Sequence, residues 1–283
     1  MQLVLGFLLS ALVSALAYRA RALSASGAWA ATLTGGLVFG LGGLSWAVLL
    51  LIFFLSSSGL SRAFQCRKAD LSEKFSKGSR RDHGQVLANG GLGALLAIVH
   101  ALNPELAWPW VAFVGSMAAV NADTWATELG VLSPAPPRLI TTGHVTERGA
   151  SGGVTLYGYA AALGGALLVG LGALVFSRET SSWLGPAGGL TSASLLAPAT
   201  LIVAAVIGGL VGSTVDSLLG ATIQAIYYCP ACQKETERHP AHWCGENTSL
   251  LRGWRWLDND WVNFACALAG AAAGLAVLAP LVR

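Results

Sequence analysis

Charge is what this sequence has least of. Only 11% of its 283 residues are Asp, Glu, Lys or Arg, about half the share found in soluble domains. That scarcity argues against a soluble helical protein, all the more because the 54% of hydrophobic residues gather in long runs rich in Leu, Ala, Val and Gly. There is no coiled-coil heptad, no clean internal repeat and no Walker A sequence, so any bound nucleotide is not held by a P-loop. No Lys or Arg precedes the apolar run at residues 3–17, whereas Arg19 and Arg21 follow it. A secretory signal has the opposite polarity. Despite the Ala15-Leu16-Ala17 ending, the run therefore reads as a retained first helix.

What is present is a series of stretches long enough to cross hydrocarbon as helices, at 1.5 Å per residue and roughly 18 or more residues each. We expect an all-α, polytopic membrane protein with about eight spans near 2–18, 27–44, 46–62, 85–103, 108–130, 152–176, 197–226 and 262–282, forming a single domain over 1–283. The second and third are separated only by Gly42-Gly43-Leu44-Ser45, so one of them has the option of being re-entrant. The 35 glycines suit close packing of membrane helices. With eight spans, alternate loops at 19–26, 63–84, 131–151 and 227–261, together with Arg62, collect 15 of the basic residues and leave Arg178 and Arg283 on the other side. By the positive-inside rule those loops face the cytoplasm of a bacterial-type cell membrane and both termini lie outside. The net charge of +3 calls for no nucleic-acid partner, because basic residues beside helix ends attract anionic lipid headgroups.

The polar residues inside this frame are few enough to weigh singly. Asn121-Ala122-Asp123-Thr124-Trp125-Ala126-Thr127-Glu128 ends the fifth span, with Asn121, Thr124 and Glu128 on one helical face and Asp123 adjacent. Carboxylates there cost several kcal/mol unless compensated, whether by a divalent cation, an arginine or an aqueous cleft. In the seventh span Ser213, Asp216, Ser217, Gly220 and Gln224 form one stripe, and an acid inside a span points to function. Arg81 precedes Gln85 and Asn89 at the start of the fourth span, Arg138 lies in the next cytoplasmic loop, and Arg148-Gly149-Ala150-Ser151-Gly152-Gly153 opens the sixth. A Gly/Ser stretch at a helix N-terminus is a natural anion site; a plain turn is the bland alternative. Asp258, Asn259, Asp260 and Asn263 enter the last span as caps or oxygen donors. Cys229-Pro230-Ala231-Cys232 followed by His242 and Cys244 supplies four ligands for tetrahedral zinc, with His239 as an alternative. A reducing cytoplasm disfavours a disulfide there, while Cys66 and Cys266 read as structural.

Five of these stretches also resemble a known membrane family: Phe54-Leu55-Ser56-Ser57-Ser58, Gln85-Val86-Leu87-Ala88-Asn89-Gly90, Asn121 through Glu128, Gly212-Ser213-Thr214-Val215-Asp216-Ser217, and Asn259-Asp260-Trp261-Val262-Asn263. The family resembled is that of plant phytyl-phosphate kinase and its uncharacterised bacterial, archaeal and animal relatives. Asp123, Ala126 and Gly130 also look like an element of the CTP-using dolichol and phytol kinases. In Gly149-Ala150-Ser151-Gly152-Gly153 the chain has Ala150 where the resemblance to the first family implies a hydroxyl or Asn. The resemblance implies phosphoryl transfer from CTP, or another nucleoside triphosphate, to a membrane-dissolved isoprenyl monophosphate. On that reading Asp123 and Asp216 position Mg²⁺ or phosphate, with Asn121 and Glu128 beside them. Arg81, Arg138 and Arg148 clamp phosphates, and Asn89, Ser151, Gly152, Ser213, Asn259 and Asp260 complete the nucleotide site. The alternative is a transporter or flippase of anionic isoprenoid lipids. Such proteins hold their charged groups near the midplane, whereas these lie towards one face.

Overall fold

The computed structural model describes residues 1–64, 80–177 and 198–278. Cys66, the basic positions 67, 68, 74, 77, 178 and 283, and nearly all of the expected outer loop lie outside the described residues. Eight long helices are present among those described: α1 (Gln2–Arg19), α2 (Ala25–Gly42), α3 (Leu44–Ala63), α4 (His83–Leu102), α5 (Trp108–Gly130), α6 (Leu156–Ser177), α7 (Pro198–Thr222) and α8 (Asn259–Ala276). Each falls on one of the expected apolar stretches. α2 and α3 meet at the single residue Gly43, whose φ of +84° is a conformation that glycine adopts without steric cost.

Among the described residues five helices, not eight, are long and apolar enough to cross a membrane: α1, α3, α4, α6 and α7. The expectation of eight spans is corrected accordingly, and the reason lies in the other three helices. α2 is diluted by Ser, Thr and Gly, α5 carries Asn121, Asp123 and Glu128, and α8 opens on Asn259, Asp260 and Asn263. α5 is also enclosed by its neighbours: every residue from Pro109 to Ala122 is buried under α6, α7 and α8. A helix wrapped in protein does not need a lipid-facing surface.

Close approach at the centre is made by glycine. A Cβ on Gly208 of α7 would stand 2.8 Å from the carbonyl oxygen of Gly270 on α8 and 2.9 Å from Cα of Gly115 on α5. Three helices thus cross where none carries a side chain, as small-residue membrane seams require. The chain runs up and down, so the starts of α2, α4, α6 and α8 share one end with the finishes of α1, α3, α5 and α7. Arg62 there donates to the carbonyl of Ala20, and Ser61 donates to Glu128 (2.8 Å). Every Lys and Arg among the described residues lies at this end.

Two small sheets cap the same end. β1 (Arg138–Leu139) pairs antiparallel with β2 (Gly153–Val154), folding the α5–α6 loop back on itself. β3 (Ile226–Cys229), β4 (Lys234–Thr236) and β5 (Ser249–Arg252) form an antiparallel sheet in the order β4-β3-β5 between α7 and α8.

Candidate functional site

Behind these sheets lies a cavity of about 580 Å³, within the usual range of ligand sites. The α7 stripe reaches it as the sequence periodicity predicts: Ser213, Asp216, Ser217 and Gly220 line it, and Gln224 joins them from the turn after the helix. From α5 come Asp123, Thr124, Thr127 and Glu128, and from the start of α4 come Gln85 and Asn89, with Arg81 just before them. Arg148, Ser151 and Gly152 form another wall, and Asn259 and Asn263 of α8 complete it.

Each group is held by neighbours. Ser213 donates to Asp123 Oδ1 at 3.3 Å. Asp216 is within coulombic reach of Asp123 and of a third carboxylate, Glu237. Arg81 is fixed through its backbone, donating to Ala22 O (3.0 Å) and accepting from Ser24 N (2.9 Å). Its guanidinium lies 5.1 Å from the ring centre of Phe53 and 5.8 Å from that of Phe54. Burial pushes the Arg81 pKa down to about 10, opposed by the charge of Glu128, so the side chain stays cationic at neutral pH. Arg148 donates to the carbonyl of Ser133 at 2.8 Å. Four helices point their N-termini at this end, capped by Ser24 on α2, Asp82 on α4, Thr155 on α6 and Asp258 on α8. Their positive dipole ends add to the pull on an anion.

Three residues expected at the site are not brought to it. Asn121 is fully buried a turn deeper in α5, where it accepts from Ser56 (2.8 Å) and donates to the Gly165 carbonyl (2.8 Å); it ties α3, α5 and α6 together. Arg138 is exposed on β1 and donates to Gly143 O at 2.8 Å. Asp260 lies in the first turn of α8, away from the cavity lining formed by Asn259 and Asn263. The cap expected at Asp258 is present: its carboxylate accepts from the N–H groups of Asp260 and Trp261.

The sequence reading missed Glu237. It sits just after β4, and its Oε1 accepts from Ser151 Oγ (3.1 Å) and Gln224 Nε2 (3.0 Å). The same sheet gathers the donor set Cys229, Cys232, His242 and Cys244, whose ligand atoms all lie within 4.8 Å of one another. Cys229 and Cys244 sulfurs are 3.6 Å apart, and His242 Nδ1 is 3.4 Å from Cys244 Sγ. A tetrahedral zinc ion sets such ligand atoms about 3.5–3.8 Å apart, whereas a disulfide needs about 2.05 Å. The Glu246 N–H and the His242 ring hold the Cys244 thiol down to about 7, favouring the thiolate that a metal takes. Three thiols and one imidazole fit a closed structural metal site, as the Cys/His spacing leads one to expect. Glu237 is thus delivered to the cavity by the sheet that also carries this cluster, and Arg252 ties that sheet back to the end of α7 through Gly220 O (2.8 Å).

Comparison with known proteins places this architecture. The family model described as "Integral membrane protein DUF92" matches residues 8–271. The chain belongs to the DUF92 family. Protein PGR of Arabidopsis thaliana is 33% identical over 280 residues, covering 94% of this chain and 93% of its own length. An uncharacterized membrane protein of Methanocaldococcus jannaschii is 29% identical over 232 residues, covering 81% of this chain and 95% of its own. No solved structure matches the chain. These findings correct the resemblance drawn from the motifs: they establish DUF92 membership and demonstrate no link to phytyl-phosphate kinase. The structure supplies a reason. Part of the motif set is packing: Asn121 cross-links helices, and Ser57 bonds to its own helix at Phe53 O. Such positions mark a shared fold and carry no information about activity.

Proposed function

We propose that this DUF92 protein is a membrane-embedded phosphotransferase. Its cavity takes a nucleoside triphosphate, CTP among the donors, from the aqueous side, and passes the γ-phosphoryl group to the phosphate of a membrane-dissolved isoprenyl monophosphate. An oxygen of the acceptor phosphate bonds to the γ-phosphorus, the β–γ P–O bond breaks, and the nucleoside diphosphate leaves with the electron pair. The observation that carries this reading is the meeting of Asp123, Asp216 and Glu237 with Arg81 and Arg148 around one cavity at the polar end of a lipid-facing bundle. Phosphoryl transfer needs little covalent help from a protein; it needs positioning and charge neutralisation.

Asp123 and Asp216 are the residues to hold Mg²⁺, which favours one or two carboxylates with phosphate oxygens and water; when bound, the ion neutralises charge developing on the transferred group. Ser213 fixes the Asp123 carboxylate through its hydrogen bond. Arg81, held in place by its backbone bonds, receives the acceptor phosphate, and Arg148 with the Ser151-Gly152 turn faces the donor. The acceptor is already an anion, so no strong general base is required. Positive-inside polarity turns this end to the cytoplasm. The acids lie six or seven residues from the ends of their helices, roughly 10 Å in. That depth is short of the midplane where transporters hold substrate.

The test is to incubate the purified chain with Mg²⁺, CTP or ATP, and a panel of prenyl monophosphates. Mg²⁺-dependent diphosphate formation, lost in Asp216→Asn, supports the reading. No product under any combination removes it.

A further inference from the structure

A second cavity, of about 300 Å³, lies between α1, α2, α3 and α4. It shares Arg81, Gln85 and Asn89 with the polar cavity. Beyond those three residues its walls are hydrocarbon apart from Ser10, Ser14 and Thr34. Two of these hydroxyls are turned into backbone, Ser10 donating to Ala31 O (3.0 Å) and Thr34 to Ala30 O (2.8 Å). The lining runs along α1 from Gly6 to Ala17 and along α3 from Leu44 to Phe54, about 15 Å of helix or half the thickness of a hydrocarbon core. α1 packs chiefly on α2, and α3 chiefly on α5 and α6, so among the described residues no helix-to-helix packing closes the space between α1 and α3. Leu9 and Leu51 line this groove and are also 40% and 36% exposed, placing its lips on the lipid-facing surface.

We infer that this groove holds the hydrocarbon tail of a single-chain lipid phosphate whose phosphate rests at Arg81 and Asn89. The inference rests on the phosphotransferase reading for the identity of the headgroup chemistry. Three features on the page select this occupant. The groove is apolar along its length and ends on a cation set in place by Phe53 and Phe54, which line it too. It runs parallel to the helices, as a lipid tail does. Its volume sits at the small end of ligand sites, enough for one chain and not for the paired tails of a glycerophospholipid. The polar cavity then meets the tail's phosphate from the other side of the Arg81–Asn89 wall, which brings a water-soluble donor and a membrane-soluble acceptor together without either leaving its own phase.

The experiment uses the full chain in lipid nanodiscs, without nucleotide, and a prenyl monophosphate carrying a diazirine at the tail end. Photolysis is expected to label the groove-facing positions of α1 and α3, with competition by unlabelled prenyl monophosphate and little by phosphatidate. Ala47→Trp, which fills the groove well away from Arg81, is expected to reduce that labelling at least tenfold. Ala47→Leu serves if the Trp variant does not stay monodisperse, with a smaller loss in the same direction. Labelling spread over the outward positions Leu8, Leu12 and Leu16, or unaffected by either variant, overturns the inference even where phosphoryl transfer is observed. Specific groove labelling in a protein with no transferase activity sustains the tail site and removes the phosphotransferase reading instead.

Discussion

The polar cavity and the apolar groove share one wall and are built on opposite rules. The cavity is made of side chains that are expensive to place where they are: Asp123, Asp216 and Glu237 cluster beside two arginines, and each needs its neighbours. The groove is made of Leu, Val and Phe side chains held apart by residues that keep out of the way, Gly6, Ala31, Gly35, Ala47 and Gly90 among them. Polar residues in a membrane are costly and therefore point to chemistry, whereas small residues serve equally for packing and for leaving space. Function on the cavity side is carried by what is present; on the groove side it is carried by what is missing.

That contrast is sharpest when a cavity acid is neutralised. Asp123→Asn or Asp216→Asn is expected to lower phosphoryl transfer by roughly 10²–10³-fold, the scale on which one preorganised electrostatic contact acts. The melting temperature should hold or rise, because a buried charge is removed; steady-state turnover beside thermal unfolding in detergent checks both. Next in size is the metal clip. Cys232→Ser, or stripping with a strong chelator, is expected to release the bound zinc measured by elemental analysis. Turnover should then fall about 10–100-fold, a supporting-shell effect transmitted through Glu237. Glu237→Gln should reproduce part of that fall with zinc retained. If metal loss leaves turnover intact, the clip and the cavity are independent.

Smaller still is the effect of Asn121→Ala, which removes both inter-helix hydrogen bonds and should cost about 1–3 kcal/mol of stability with KM unaltered. Arg138→Ala should be nearly silent, within about 0.5 kcal/mol and with unchanged turnover, since Arg138 bonds only across its own loop. A large kinetic loss from either would return that residue to the site from which the structure removes it.

Much of this was legible in the sequence, for definite reasons. Helical periodicity placed Ser213, Asp216, Ser217, Gly220 and Gln224 on one stripe; the first four reach the cavity because α7 is regular to Thr222, and Gln224 reaches it from the turn that follows. The Cys/His spacing marked its cluster, since zinc ligands obey local rules. The count of spans was less legible: apolarity measures fitness for lipid, and α5 is surrounded by protein instead. Asn121 misled because its face of α5 continues towards Glu128 while the cavity stops short of it. Glu237 was invisible because a strand pairing and the clip bring it in from a loop whose ligands drew the attention. The groove had no sequence signature at all, as its glycines and alanines read as packing.

The claim that one protein joins these two environments is tested most directly by following the phosphoryl group itself. With γ-labelled CTP and a prenyl monophosphate in nanodiscs, the account predicts label extracted into the lipid phase as the prenyl diphosphate, at a rate roughly 10²–10³-fold lower in Asp216→Asn. Label released only as inorganic phosphate, or kept on the nucleotide across the panel of acceptors by a folded, zinc-loaded chain, contradicts it.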